Sequence, residues 1–180
     1  MKPYRYLNCD NIDVIQDKIY TYLQSLSYYD STITGWKTLH NLNLLIQVPE
    51  LQHFLDQYNL VAKRIHVLQH RVSSDLHCDY YNSHSDRFRM NFPVRNTINT
   101  AITEFYELID MKKTVAYNKH NIPYYVLSYS DKKLIDSYVL TNPVIIDTSC
   151  PHIVQIDGRL DPIRTMISID FVNEIFHLLN

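Results

Sequence analysis

Two His-x-Asp tripeptides share the stretch DLHCDYYNSHSD, at His77-Cys78-Asp79 and His84-Ser85-Asp86. In a β-strand, residues i and i+2 point to the same face, so such a tripeptide aims an imidazole and a carboxylate at one point. That pair is half of a metal site. With nine histidines in 180 residues, roughly one His-x-Asp is expected by chance, so the surroundings must choose. His77 follows RIHVLQHRVSSDL, a run long enough to carry it on a strand end, with His66 and His70 earlier on that strand. His84 sits in YNSHSDR, the composition of a turn. The first tripeptide is therefore expected to ligate and the second to be a solvated loop.

Two histidines and one carboxylate on one face of a metal, with three positions open, form the ligand set of non-haem Fe(II) oxygenases. The second histidine must arrive from a later strand, and His152 lies between two strand-like runs in PVIIDTSCPHIVQID. His120 stands in the polar turn YNKHNIP, and His177 in the tail. A 2-oxoglutarate co-substrate that chelates iron at one end leaves a far carboxylate to be gripped, which suits the two-pronged guanidinium of arginine. HIVQIDGRLDPIRTMISIDF supplies a strand, a turn and a strand that opens with Arg164. Along it Arg164, Met166, Ser168 and Asp170 share one face, and Thr165, Ile167, Ile169 and Phe171 share the other. Arg159 belongs to the turn and is read as solvated.

These groups need a scaffold to bring them together. From about residue 61 the pattern has period two, in RIHVLQHRV, RFRMNFPVR, TAITEFYEL, TVAYN, YYVLSYS, SYVL, PVIIDTS, HIVQID and RTMISIDF. Eight or nine short strands after a helical preface predict a mainly β barrel or sandwich with helices on one side. The preface holds an apolar stripe, Ile12, Ile15, Ile19, Tyr22, Leu23 and Leu26, and a second helix is expected after Pro49. Residues 1–60 are thus read as helical support, 61–171 as the β core and 172–180 as a tail, together a single domain.

Composition narrows the class. Apolar residues make up 46% and charged residues 20%, the balance of an ordinary globular chain. A net charge of −2 gives no broad basic field and argues against nucleic acid as a partner. Cys9, Cys78 and Cys150 are too few and too scattered for a disulfide framework or a CxxC zinc site. No signal peptide or membrane-length apolar run is present, so a cytoplasmic setting is expected.

In order, His77-x-Asp79, His152 and Arg164 on a β-rich chain resemble the Fe(II)/2-oxoglutarate-dependent dioxygenases of the double-stranded β-helix, or cupin-like jelly-roll, fold. RFRMNFPVRN is similar to the R-x-R-M strand of the aspartyl/asparaginyl β-hydroxylase group. PVIIDTSCPHIVQ with RTMISIDF resembles the end of small phage-type and bacterial oxygenases. The resemblance spans residues 61–171. It implies that His77, Asp79 and His152 bind Fe(II) and that Arg164 holds the C5 carboxylate of 2-oxoglutarate. Ser168 would add a hydroxyl to the pocket, Arg89 matches a second co-substrate-contacting arginine, and Asn91 shares its face. Arg87 is read as part of a charged strand face, and Tyr80, Tyr81 and Tyr106 as packing residues. O2 would be the second co-substrate, with succinate and CO2 released as a C–H bond of a small molecule, amino acid or peptide side chain is hydroxylated. The aspartyl β-hydroxylases lack the carboxylate ligand that Asp79 supplies, so their peptide substrate does not carry over. The alternatives are a metal-bound cupin with isomerase or hydrolase chemistry, and a jelly-roll binding protein without a metal.

Overall fold

The period-two runs form strands in two six-stranded antiparallel sheets, as described for residues 2–39, 41–79, 87–98, 100–117, 123–156, 158 and 162–179 of a computed structural model. In chain order the elements are β1 (Tyr4–Tyr6), α1 (Ile12–Ser25), β2 (Gly35–Leu39), α2 (Asn41–Gln47), α3 (Pro49–Gln57), β3 (Ala62–His70), β4 (His77–Asp79) and β5 (Phe88–Arg95). There follow β6 (Ile102–Ile109), β7 (Lys112–Tyr117), β8 (Pro123–Ser128), β9 (Asp131–Val139), β10 (Val144–Asp147), β11 (His152–Gln155), β12 (Arg164–Phe171) and a 3-10 turn at Phe176–Leu179. The first sheet runs β1-β10-β5-β12-β3-β2 and the second β7-β8-β4-β11-β6-β9. From β3 to β6, and again from β9 to β12, successive strands alternate between the sheets, an arrangement consistent with a jelly roll.

The two faces of the first sheet meet different surroundings. Phe88, Met90, Phe92 and Val94 of β5 join Ile167, Ile169 and Phe171 of β12 in one buried cluster with Ile15, Ile19 and Leu23 of α1 and Leu51, Phe54 and Leu55 of α3. Phe54 meets Phe92 edge-on at a ring separation of 5.9 Å. The spacing of four between Ile15, Ile19 and Leu23 keeps them on one helix face, and Pro49 opens α3 in the first turn, where its missing N–H costs nothing. On the opposite face Leu68, Ile146 and Met166 meet Phe105 and Tyr138 of the second sheet. Along β6 of the second sheet, Thr103 and Phe105 are buried while Ile102 stays exposed.

Three local outcomes differ from the sequence pattern. The run expected to carry His66, His70 and His77 on one strand divides, with β3 ending at His70 in the first sheet and β4 opening at His77 in the second. Hydroxyls cause the break: Ser74 Oγ accepts the Val154 amide at 2.9 Å and Ser73 Oγ the Ile156 amide at 2.8 Å, drawing the linker onto β11. The first 60 residues also contain β1 and β2, which extend the first sheet at its two ends, and α2. β9 starts at Asp131, well before the SYVL run; its first four residues pair with β6 but are all exposed, which leaves no alternation to read.

A buried ion pair fastens the turn that precedes β11. Arg87 Nε donates to Asp147 Oδ1 at 2.9 Å, Ser149 N donates to the same oxygen at 3.0 Å, and Thr148 Oγ1 donates to the Arg87 carbonyl at 2.7 Å. Burial works to raise the Asp147 carboxyl, but the hydrogen bonds from Arg87 and Ser149 outweigh it and hold it below its usual value. A carboxyl depressed in the folded state stabilises fully above its unfolded pKa of about 3.9, and that contribution is lost as pH falls through the folded value. Asp147→Asn should therefore cost stability at pH 6 and make the acid side of the stability profile flatter below pH 4, read by urea titrations from pH 2 to 6. An unchanged profile would remove Asp147 from the acid response. In the core, Phe92→Ala should cost about 3–5 kcal/mol, whereas Val115→Ala, at an exposed position of β7, should stay within about 0.5 kcal/mol. Chemical denaturation separates them.

Candidate functional site

Between the sheets lies a cavity of about 490 Å3 whose walls include His77, Asp79, His152, Arg89, Asn91, Arg164 and Ser168. His77 and Asp79 share a face because they are two residues apart on β4; the intervening Cys78 points away and is fully buried. Antiparallel register sets His152 of β11 directly opposite His77, with ring centroids 4.5 Å apart. One ligand atom from each of His77, Asp79 and His152 lies within 4.8 Å of the other two, and His77 Nε2 stands 3.6 Å from Asp79 Oδ1. Among the described residues this is the one cluster of three such groups.

Both histidines are oriented alike. The ring Nδ1 of His77 lies 2.7 Å from the carbonyl of Asp75, and that of His152 lies 2.9 Å from the carbonyl of Cys150. A carbonyl oxygen only accepts, so each Nδ1 carries a proton, and Nε2 is the ring nitrogen turned toward the cluster. Burial, then the neighbouring His77, pushes His152 down to about 4 against the opposing pull of Asp79, so its ring is neutral in the physiological range. Burial works to raise the Asp79 carboxyl, yet Arg89, His152 and His77 outweigh it and keep it ionised. A neutral imidazole at His152 and a carboxylate at Asp79 are the protonation states that a divalent cation requires of such ligands.

Deeper in the cavity, Arg164 is 2% exposed, and its Nε and Nη1 have no hydrogen-bond partner among the described residues. Burial of an uncompensated guanidinium is costly, and the cost disappears when an anion supplies the missing acceptors. His70 stands opposite Arg164 in the β3–β12 register. Burial, then Arg164 and His77, depress His70 to about 3, so it adds no second positive charge. Tyr138 reaches the same region, its hydroxyl accepting from Asn91 Nδ2 at 3.2 Å. Burial raises the Tyr138 phenol against the hydrogen bonds of Thr103 and Asn91 and the charge of Arg164, so it stays protonated.

The side chains singled out from sequence are placed as follows. Ser168 is buried in the cavity wall, opposite Asn91 of β5 and His66 of β3. Arg89 forms ion pairs with two carboxylates, its Nη1 2.9 Å from Asp79 Oδ2 and its Nε 2.8 Å from Asp170 Oδ1. Arg87 pairs with Asp147. Tyr106 donates to Glu104 at 2.7 Å, beside its ring lies the Lys132 ammonium, and it takes no part in the cavity. Tyr80, Tyr81, His84, Asp86, His120 and Arg159 lie outside the described residues. Sequence reasoning assigned no role to His70, Tyr138 or Thr103. His70 had a usable signal, since Arg64, His66, Leu68 and His70 alternate onto one face of β3; Tyr138 had none in a chain with fifteen tyrosines.

A scan of protein-family models finds no match, and no curated protein matches the chain. Among solved structures, a Pseudomonas putida prolyl-4-hydroxylase is similar at 13% identity, over 96% of this chain and 94% of that one, with a TM-score of 0.46. The epimerase SnoN, in complex with Fe3+, alpha ketoglutarate and nogalamycin RO, is similar at 11% identity over 94% and 78%, with a TM-score of 0.49. A second structure of SnoN, described as a non-heme alpha ketoglutarate dependent epimerase from nogalamycin biosynthesis, matches at 12% identity over 95% and 78%, with a TM-score of 0.46. At these identities and scores the similarity carries no argument about activity, which has to come from the side chains. No described helix is long and apolar enough to cross a membrane.

The cluster makes a direct prediction. Mn(II), a redox-silent divalent probe, should bind one site per chain by calorimetry. Loss of an outer hydrogen-bond partner typically costs 10–100-fold in metal affinity, so His77→Ala, Asp79→Ala and His152→Ala should each lose more than about 100-fold. Retained binding in all three would remove the cluster as a metal centre.

Proposed function

We propose that this chain is an Fe(II)- and 2-oxoglutarate-dependent oxygenase that hydroxylates a C–H bond of a small molecule, amino acid or peptide side chain. The observation that carries this is one cavity holding both a His-Asp-His cluster of ligating geometry and a buried guanidinium with two unsatisfied donors. The donor set fits Fe(II), for which two imidazoles and a carboxylate leave three positions open. The orphaned Arg164 fits a co-substrate that brings a carboxylate of its own. A metal site alone would not need it.

His77, Asp79 and His152 would hold the metal, His77 and His152 through the ring nitrogens left free by their Nδ1–carbonyl hydrogen bonds. With Fe(II), 2-oxoglutarate and O2 bound, such a centre supplies oxidative decarboxylation to succinate and CO2 coupled to insertion of one oxygen atom into a substrate C–H bond. Arg164 would receive the C5 carboxylate, with the protonated Tyr138 hydroxyl and the Ser168 hydroxyl beside it as further polar groups. Leu68, Ile146 and Met166 add apolar wall to the cavity, and a low-dielectric wall strengthens an Arg164–carboxylate attraction. Asn91 orients Tyr138, and Arg89 holds Asp79. The jelly-roll topology would then be the double-stranded β-helix, with β4 and β11 of one sheet carrying the metal ligands and β12 of the other the co-substrate arginine.

Anaerobically purified protein given Fe(II), 2-oxoglutarate and then O2 should release succinate, read by mass spectrometry. Asp79→Ala should abolish the release, while His84→Ala and Asp86→Ala should leave it near the unsubstituted level. Equal losses from both tripeptides would overturn the choice of ligands. Arg164→Ala should weaken 2-oxoglutarate binding by at least about tenfold, the loss of one charge-assisted pair, and leave Mn(II) affinity within about threefold. A 2-oxoglutarate affinity unaffected by Arg164→Ala would leave the metal centre standing and remove the co-substrate.

A further inference from the structure

We propose that Asp170 is a positioning residue for the metal-ligating carboxylate of Asp79, acting through Arg89, an inference that rests on the metal centre described above. Asp170 is fully buried on β12, where it shares the cavity-facing side with Arg164, Met166 and Ser168. Register places it between Arg64 of β3 and Arg89 of β5. Its Oδ1 faces Arg89 Nε at 2.8 Å, and its Oδ2 faces Arg64 Nε at 2.9 Å and His66 Nε2 at 3.6 Å. Arg89 then crosses from one sheet to the other, its Nη1 reaching Asp79 Oδ2 at 2.9 Å.

The guanidinium is planar and rigid, so fixing its Nε at Asp170 fixes where Nη1 points. Asp79 is thereby held by Oδ2, and its Oδ1, 3.6 Å from His77 Nε2, is the oxygen turned toward the other ligands. Loss of the Asp170 anchor removes the ion pair that sets the Nε end of Arg89, the end remote from Asp79. A carboxylate with only a packing role would leave the orientation of Asp79 unchanged.

The full-length chain is titrated with Mn(II) by calorimetry, and bound Mn(II) is read by electron paramagnetic resonance. Asp170→Asn keeps the shape and removes the charge. It should lower Mn(II) affinity by about 10–100-fold, the range for loss of an outer partner of a metal ligand. Phe92→Leu, in the core on the other face of the sheet, lowers stability without touching the cavity and should leave Mn(II) affinity unchanged. Arg89→Gln should show the same loss as Asp170→Asn, and the double variant should lose no more than either alone. A folded Asp170→Asn protein with unreduced affinity overturns the proposal, as does an Asp170→Asn effect that persists undiminished in the Arg89→Gln background. If Asp170→Asn does not fold, full Mn(II) affinity in Arg89→Gln overturns it by itself. Absence of Mn(II) binding in the unsubstituted chain would instead overturn the metal centre and this proposal together.

Discussion

A sheet buried on both faces has to present two chemistries from one backbone. The first sheet meets helices on one side and the second sheet on the other, so alternate residues of β3, β5 and β12 answer to different neighbours. Toward the helices they are Ile, Phe, Met and Val, which supply the main apolar burial of the fold. Toward the second sheet the same strands carry Arg64, His66, His70, Arg89, Asn91, Arg164, Ser168 and Asp170. Period two makes the division automatic. A one-residue slip would put every charged group into the apolar layer and every apolar group into the cavity, so core packing and site geometry are protected by the same register.

Charged groups placed in that inner layer pair with one another. Asp170 forms ion pairs with Arg64, Arg89 and His66, and Asp79 with Arg89 continues the chain into the second sheet. Burial alone would raise the Asp170 carboxyl, but His66 and the two guanidiniums more than reverse this and keep it ionised. Arg164 departs from the rule. It is as buried as its neighbours, yet two of its nitrogens find no partner among the described residues. Within a layer otherwise tied together by ion pairs, that exception is the observation on which the proposed co-substrate rests.

The second sheet contributes by pairing. β4 is three residues long, and all of its value lies in placing His77 against His152 of β11 with Asp79 on the same side. Each imidazole is turned by a carbonyl two residues earlier in its own chain, so the orientation is local even though the meeting is not. The ends of both strands are lashed to their surroundings: Asp79 N donates to the Thr148 carbonyl at 3.0 Å, and Tyr106 N donates to the Pro151 carbonyl at 2.8 Å. Side chains held on such paired strands keep their geometry better than side chains on free loops.

Much of this was legible without coordinates, because it depends on periodicity. The alternation along RTMISIDF separates Arg164, Ser168 and Asp170 from Ile167, Ile169 and Phe171, and the stripe Ile15–Ile19–Leu23 marks the covering helix. His-x-Asp implies a shared face by the same rule. Contacts between residues far apart in the chain were not legible, since hydrogen-bond register and sheet order leave no periodic trace. The break between His70 and His77 depends on serine hydroxyls that meet β11. The opposition of His77 and His152 is decided by sheet pairing, and the bridge from Asp79 through Arg89 to Asp170 spans three strands in two sheets. Sequence by itself determined which side chains face inward, as each strand's face is a local property. Tertiary structure alone decided which of them meet, as that depends on how strands distant in the chain are brought into register.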